Sequence, residues 1–272
     1  MNVQNDEGDP RRTGLLNQGL RSLAPDVVAL QEVTYPDESG QLPALLEGTG
    51  LTGTHQADVM GYVPPFTDRY GGTAVASRWP HRVVEVLDLR AADAGDVPWC
   101  TLAVTVPLPG EAGELLFIAT TASWRLDAAA ARERQALAVT DLDARHRGVL
   151  PTIIAGDFNA APDAASIRYL TGAQSLHERS VAYHDAWAVA GDGPGYTWTA
   201  DNDAARAEMD QIVRQPGYRR RLDYIFVGSW HAHPQAYCRV EAARLVFTDP
   251  VDGLWLSDHF GLLAEVEIGR TG

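Results

Sequence analysis

The sequence contains no lysine. All 22 of its basic residues are arginines, and they face 36 acidic residues. Chemistry that needs a lysine amine is therefore excluded, including Schiff bases, pyridoxal phosphate attachment and phosphate binding by a P-loop. The net charge of −14 disfavours long nucleic acid as a partner, because such partners are usually held by a basic surface. An arginine-lined site could override that field locally, so nucleic acid stays possible.

Cysteine and long apolar runs are also scarce. Cys100 and Cys238 are too few for a disulfide scaffold or a thiolate metal site, and we expect them to be small buried hydrophobes. No apolar run approaches the roughly 20 residues that cross a membrane. The first residues are polar and acidic, unlike a signal peptide, so the expected location is the cytoplasm.

The hydrophobic pattern indicates a protein with more strands than helices. Helices are predicted near residues 15–23, 42–46, 127–147 and 163–170, the last opened by an acidic cap at Asp163. Strands are predicted at residues 27–30, 73–77, 82–89, 99–108, 115–120, 152–155, 222–227, 237–247 and 261–268. Residues 191–217, rich in Gly, Asp and Asn, are predicted to form a long loop. Because strands and helices do not alternate regularly, two packed sheets with helices outside fit better than one parallel sheet. No linker or repeat interrupts the pattern, so we expect one domain over residues 1–272.

Polar clusters stand at the ends of four apolar strands, at residues 31–32, 156–159, 221–223 and 257–259. Taken singly, they could be a surface carboxylate, a turn, an ion pair with Arg221 and a helix cap. Together they offer carboxylates, an amide and an imidazole. In-line attack on a phosphoester needs a cation on the phosphoryl oxygens, a positioned water and a donor, and these groups provide them without lysine.

The same clusters belong to an ordered series of short motifs. The series is Asn2-Val3, Leu30-Gln31-Glu32-Val33, Gly72-Thr73-Ala74-Val75-Ala76-Ser77-Arg78, Gly156-Asp157-Phe158-Asn159, Arg221-Leu222-Asp223-Tyr224 and Ser257-Asp258-His259. It resembles the endonuclease/exonuclease/phosphatase superfamily, the metal-dependent fold of pancreatic deoxyribonuclease, exonuclease III and neutral sphingomyelinases. The resemblance covers nearly the whole chain. It implies an α/β (α+β) fold, a four-layer sandwich of two packed mixed β-sheets flanked by helices.

The resemblance also implies a metal site. Glu32 would be the principal ligand, with Asn2 beside it and Asp258 as a possible third. Hard oxygen ligands of this kind suit magnesium or manganese.

Four further residues would do the chemistry that the resemblance implies. Asp157 would orient or deprotonate the attacking water, and Asn159 would hold the phosphate. His259, kept positively charged by Asp223, would stabilise the charge that develops on phosphorus.

The chain departs from the family pattern in two places. Only Met1 precedes Asn2, so either the start of the chain is misassigned or the first strand is rudimentary, and we expect a weakly anchored Asn2. Thr121 stands where many members have histidine. A threonine can donate a hydrogen bond but does not titrate near neutrality, so slower hydrolysis or an altered substrate is expected.

Two other side chains are candidates for substrate contact. Arg125 precedes the long predicted helix and could reach a phosphate or simply lie on a solvated face. Trp198, in the motif Tyr196-Thr197-Trp198, could line the site or serve packing.

The sequence thus predicts a magnesium- or manganese-dependent phosphoesterase that hydrolyses a phosphodiester or a phosphomonoester. A small or lipid-like phosphorylated substrate is slightly favoured by the acidic charge. Two alternatives remain: a DNA endo- or exonuclease, and a non-hydrolytic binding protein on the same fold, which Thr121 and the short first strand suggest.

Overall fold

The computed structural model describes residues 1–35, 40–61, 71–92, 99–110 and 112–271. Within them the helices are α1 (Arg11–Leu23), α2 (Gln41–Leu46), α3 (Gln56–Val59), α4 (Ala129–His146), α5 (Ala165–Leu170), α6 (Ala186–Ala190) and α7 (Asp203–Ile212), with a 3-10 turn at Leu89–Ala92. The strands are β1 (Val27–Val33), β2 (Thr52–His55), β3 (Gly72–Ser77), β4 (Arg82–Asp88), β5 (Cys100–Leu108), β6 (Gly113–Thr121), β7 (Ile153–Asp157), β8 (Tyr183–Asp185), β9 (Trp198–Thr199), β10 (Arg219–Arg220), β11 (Asp223–Gly228), β12 (Ala236–Val246) and β13 (Gly261–Arg270).

The larger sheet is mixed. Among the described residues its strand order is β4-β5-β6-β7-β11-β8. β6 and β7 run parallel, whereas the other neighbouring strands run antiparallel. A parallel pair needs a crossover connection, and α4 lies in the connection between β6 and β7. Buried Ala136, Val139 and Leu142 recur at three-residue spacing, so α4 presents an apolar stripe.

The second β layer consists of two antiparallel pieces. One is the sheet β1-β3-β2, and the other is the pair β12-β13. Ala29 and Val75 from the first piece and Val266 from the second join one core with Val104 and Phe117 of the larger sheet. The apolar faces of both β layers are therefore buried against each other.

Helices cover the outer faces of both layers. Leu16, Leu20 and Leu45, from α1 and α2, pack with Leu30 of β1. On the other side, Leu142 of α4 and residues of α5 share a core with the larger sheet. The order helix, sheet, sheet, helix confirms the expected fold class, with the difference that the second β layer is split and its strand pairs are antiparallel. No helix of the described residues is long and apolar enough to cross a membrane.

Two local predictions are wrong. Residues 191–217 are not a continuous loop, because they contain β9 and α7. The Asn202 side chain accepts a hydrogen bond from the Ala204 N–H at 2.9 Å and caps α7, whose apolar face buries Ala205 and Met209. The predicted acidic cap at Asp163 is not formed, because α5 begins two residues later without a side-chain cap.

Candidate active site

Polar side chains lie at the ends of β6, β7 and β11, on the sheet face that packs against the second β layer. On a strand, residues two apart share a face. Asp157 therefore follows Ala155 of the inner core, and Asp223 precedes Ile225. Strand register places Asp157 directly opposite Asp223 on β11 and beside Thr121 on β6. Three polar positions thus lie side by side where the apolar core stops.

A β-bulge directs Glu32 toward the same place. In a regular strand Glu32 would share the outer face of Leu30, but the register of β1 shifts between Leu30 and Val33. Glu32 has a φ of 58°, in the left-handed region. The opposing backbone comes so close that a Cβ on Gly71 would lie 2.5 Å from the Val33 carbonyl oxygen, so this position requires glycine.

Asn2 is firmly held, so the expectation of weak anchorage is wrong. The Val3 N–H donates to the Gln31 carbonyl at 2.9 Å, and the Gln31 N–H donates to the Met1 carbonyl at 3.1 Å. These bonds form a parallel bridge that leaves Asn2 only 1% exposed. The Asn2 Nδ2 donates to Glu32 Oε1 at 2.8 Å and lies 3.4 Å from Asp157 Oδ2.

A tight turn fixes Asp157 relative to Asn159. The Asp157 Oδ1 accepts a hydrogen bond from the Asn159 N–H at 2.9 Å. Asn159 adopts a φ of 49°, and its Nδ2 donates to the Ala122 carbonyl at 3.1 Å. The turn therefore locks both side chains to the end of β6.

His259 joins the carboxylates into one cluster. Its Nδ1 lies 2.8 Å from Asp223 Oδ2, and its Nε2 lies 3.9 Å from Asp157 Oδ2 and 4.0 Å from Asp258 Oδ2. Its backbone forms an isolated antiparallel bridge with Trp198, and the two rings lie 6.4 Å apart. All five of these side chains are less than 9% exposed.

Three residues without a predicted role hold this cluster. The Thr197 hydroxyl accepts hydrogen bonds from the N–H groups of Leu222 and Asp223, at 3.0 and 3.2 Å. The Asn202 Nδ2 donates to the carbonyl of Asp258, and the Gln4 Oε1 accepts from the Asp258 N–H at 3.1 Å. Two of them have a sequence signal, since Thr197 lies in the motif Tyr196-Thr197-Trp198 and Asn202 stands at the position of an N-cap.

The comparison with protein families identifies the family of the chain. The model of the Endonuclease/Exonuclease/phosphatase family matches residues 1–259. The chain belongs to the endonuclease/exonuclease/phosphatase family. Members of this family are hydrolases that act on phosphoester bonds, and they generally depend on a divalent metal ion. A search of curated protein sequences gives no significant match.

Solved structures of the family have the same fold at low sequence identity. A family member from Bacteroides vulgatus is 19% identical, with a TM-score of 0.67 over 98% of this chain and 96% of that one. The human Nocturnin catalytic domain with a bound sulfate anion is 19% identical, with a TM-score of 0.68 over 98% and 91% of the two chains. D. rerio TDP2 complexed with a single-strand DNA product is 20% identical, with a TM-score of 0.68 over 94% and 91%.

Burial and neighbouring charges shift the pKa values of the clustered carboxylates and of His259. Burial, and then repulsion by Asp258, raise the pKa of Glu32 well above its ordinary value. Burial raises the pKa of Asp157 to about 6, against the attraction of His259. Burial also disfavours the charges of Asp223 and His259, but their attraction outweighs it, so the pKa of Asp223 is lowered and that of His259 is raised well above its ordinary value.

The donor atoms fit a hard metal ion in one of two places. Donor atoms of Asp157, Asp223 and His259 lie within 4.8 Å of one another. The attraction of Asp223 raises the pKa of His259, which disfavours the neutral imidazole that a metal would need. Glu32 and Asp258 are the alternative pair, because they repel each other and, within the described residues, Glu32 forms no ion pair. Their oxygens suit a hard divalent cation.

The remaining candidates have other partners in the structure. Thr121 is fully buried beside Asp157, and its hydroxyl lies 3.3 Å from that of Thr73 on the second β layer. Arg125 precedes α4 and binds the carboxylate of Asp127 through two nitrogens. Trp198 is only 6% exposed and packs with Leu222, and its ring centroid lies 6.4 Å from that of His259, so a lining role stays a prediction.

Proposed function

We propose that this protein hydrolyses a phosphoester by in-line attack of water with the help of a bound divalent cation. The observation that carries the proposal is the arrangement around His259, which has Asp223 at one ring nitrogen, 2.8 Å away, and Asp157 near the other, at 3.9 Å. The candidate donor His259 thus lies 3.9 Å from one oxygen of the candidate base Asp157, whose other oxygen accepts from the Asn159 N–H.

Glu32, Asn2 and Asp258 are the residues that would hold magnesium or manganese. A cation bound there would polarise the phosphoryl oxygens. The Asn2 Nδ2 holds Glu32 in place, and the Gln4 side chain holds the backbone of Asp258. The mutual repulsion of the carboxylates leaves them poised to accept positive charge.

Asp157 is suited to act as the general base. Its pKa of about 6 lies near neutral pH, where a base combines a deprotonated state with sufficient basicity. The Asn159 N–H fixes one of its oxygens, so the other is directed to the water. The proton of the attacking water would pass to this carboxylate.

His259 and Asn159 would stabilise the phosphate as charge develops on it. Asp223 holds the imidazole through Nδ1, which leaves the Nε2 proton free to donate to a phosphoryl oxygen. The Asn159 Nδ2 donates one of its two N–H groups to the Ala122 carbonyl, so the other N–H remains to bind the phosphate.

The net charge of the protein bears on which class of substrate it accepts. The net charge of −14 favours a small or lipid-like phosphorylated molecule over long duplex DNA. A nuclease acting on single-stranded DNA is the second candidate, supported by the fold shared with D. rerio TDP2 complexed with such a product. A non-hydrolytic role keeps as its grounds Thr121 and a first strand that consists of one isolated bridge, although Asn2 is firmly anchored.

A substrate panel tests the proposal. Bis(p-nitrophenyl) phosphate, p-nitrophenyl phosphate and single-stranded DNA should be offered with magnesium, with manganese and with chelator. Asp157→Asn should lose about 100- to 10,000-fold in rate on whichever substrate is cleaved, whereas Glu267→Gln, an exposed carboxylate of β13, should keep it. Metal-independent turnover, or full activity of Asp157→Asn, would refute the proposed mechanism.

A further inference from the structure

Arg220 lies beside the candidate active site on the short strand β10. Its partner across the antiparallel pair β10-β9 is Trp198, whose ring lies 6.4 Å from that of His259. Residues directly opposite in such a pair place their side chains on the same face. Arg220 therefore shares the face of Trp198, whereas its neighbour Arg219 points to the other face and binds Asp201 through two nitrogens, each at 2.8 Å.

The guanidinium of Arg220 contacts the turn that positions Asn159. Its Nη2 donates to the Asn159 carbonyl at 3.4 Å, a long hydrogen bond, and the side chain is partly buried. Arg219 and Arg221 each form an ion pair, with Asp201 and Asp185. Within the described part of the chain Arg220 forms none.

Such a cation is unusual in this protein. A guanidinium has five N–H donors in a planar fork, and the single long hydrogen bond of Arg220 offsets only part of the solvation that a partly buried cation loses. Arg12 also approaches the site, but its guanidinium donates to five backbone carbonyls. Unlike Arg12, Arg220 therefore has N–H donors left over, and these can bind an anion that lies next to Asn159.

We propose that Arg220 binds the non-bridging oxygens of the substrate phosphate on the side of Asn159. The planar fork matches two phosphate oxygens, a geometry that lysine cannot provide. Because a cation attracts two negative charges more strongly than one, Arg220 favours a dianionic phosphomonoester over a monoanionic phosphodiester. This inference rests on the proposed phosphoesterase function, which it extends to the choice of substrate.

The test compares Arg220→Gln with Arg219→Gln, an adjacent arginine on the same strand. Affinity for inorganic phosphate is measured by calorimetry in the presence of magnesium, and KM and kcat are measured with p-nitrophenyl phosphate and bis(p-nitrophenyl) phosphate. Arg220→Gln should weaken phosphate binding and raise the KM for the monoester about 10- to 100-fold, with a smaller effect on the diester. Arg220→Lys should show an intermediate loss, and Arg219→Gln should match the wild type.

The two proposals fail in different ways. If neither ester is cleaved but phosphate binding depends on Arg220, the hydrolytic function is wrong and the anion site stands. If Arg220→Gln matches Arg219→Gln in phosphate affinity and in both KM values, the anion site is wrong, whatever the protein hydrolyses. Thermal unfolding of each variant identifies a loss that comes from misfolding. If Arg220→Gln misfolds, Arg220→Lys decides between the outcomes. A folded Arg220→Lys protein with a partial loss of phosphate affinity supports the inference, whereas wild-type phosphate affinity and an unchanged KM ratio of the two esters overturn it.

Discussion

Replacing Glu32 by glutamine removes a charge from the candidate metal site and keeps the shape of the side chain. The glutamine oxygen can still accept the 2.8 Å hydrogen bond from Asn2. Because burial and Asp258 raise the pKa of Glu32, this carboxyl stabilises the metal-free fold while protonated, and that contribution is lost as pH rises above the ordinary value of 4.5. The metal-free variant should therefore be at least as stable as the wild type at pH 7, and the difference should shrink toward pH 4.5.

The metal-bound protein should behave in the opposite way. A ligand present at 100 times its Kd stabilises the folded state by about 2.7 kcal/mol. Each kcal/mol raises Tm by about 2–4 °C in a protein of 150–250 residues, so for this chain of 272 residues magnesium should raise the wild-type Tm by about 5 °C. Without its principal carboxylate, Glu32→Gln should lose most of that rise.

Thermal unfolding across a magnesium series, with chelator as the zero point, measures both effects. Glu267→Gln is the matched control, because Glu267 is exposed on β13 and pairs with Arg239 far from the carboxylate cluster. A metal-free Glu32→Gln protein that unfolds well below the wild type would show that Glu32 is structural. An undiminished magnesium shift would show that the metal binds elsewhere.

Three other predictions concern groups around the site. Asp223→Asn removes the carboxylate that favours the charged imidazole, so the pKa of His259 should fall and the alkaline limb of the pH–rate profile should move to lower pH; an unchanged limb would mean that His259 is not the acid. Asn202→Ala should lower the free energy of unfolding, measured with denaturant, by about 1 kcal/mol because α7 loses its cap. It should also lower kcat, because the loop before His259 loses two hydrogen bonds. Asn202→Asp keeps the cap but not those two bonds, so it should recover the stability and not the kcat. Gly156→Ala places a Cβ 1.8 Å from the Thr120 carbonyl oxygen and should destabilise the fold by about 1–3 kcal/mol or more, and wild-type stability would contradict the close approach of β6 and β7.

Much of the site could be predicted from the sequence because strand periodicity is local. Two-residue spacing carries Asp157 and Asp223 from the inner core rows to the same end of the sheet. The direction of Glu32 is different, because it depends on a bulge that opposes Gly71. A regular strand would have placed this carboxylate on the wrong face.

Long-range contacts could not be predicted in this way. The hydroxyl of Thr197 supports Asp223 from 26 residues away, and the amide of Asn202 reaches the carbonyl of Asp258 across 56 residues. Neither separation follows from the two-residue period of a strand or the 3.6-residue period of a helix. The amphipathic helix α7 was missed because glycine and aspartate around it outweigh the short apolar face that Ala205 and Met209 form.

The hydrogen bond from the Ser257 hydroxyl to the Asn2 carbonyl joins residues 255 positions apart and has a consequence for how the protein folds. Contacts between distant residues pay the largest loop-closure entropy and form slowly. The larger sheet can bring Asp157 opposite Asp223 before the two distant segments meet. We therefore expect the complete site to form last, so that a refolding chain regains its sheet structure before it regains the proposed turnover.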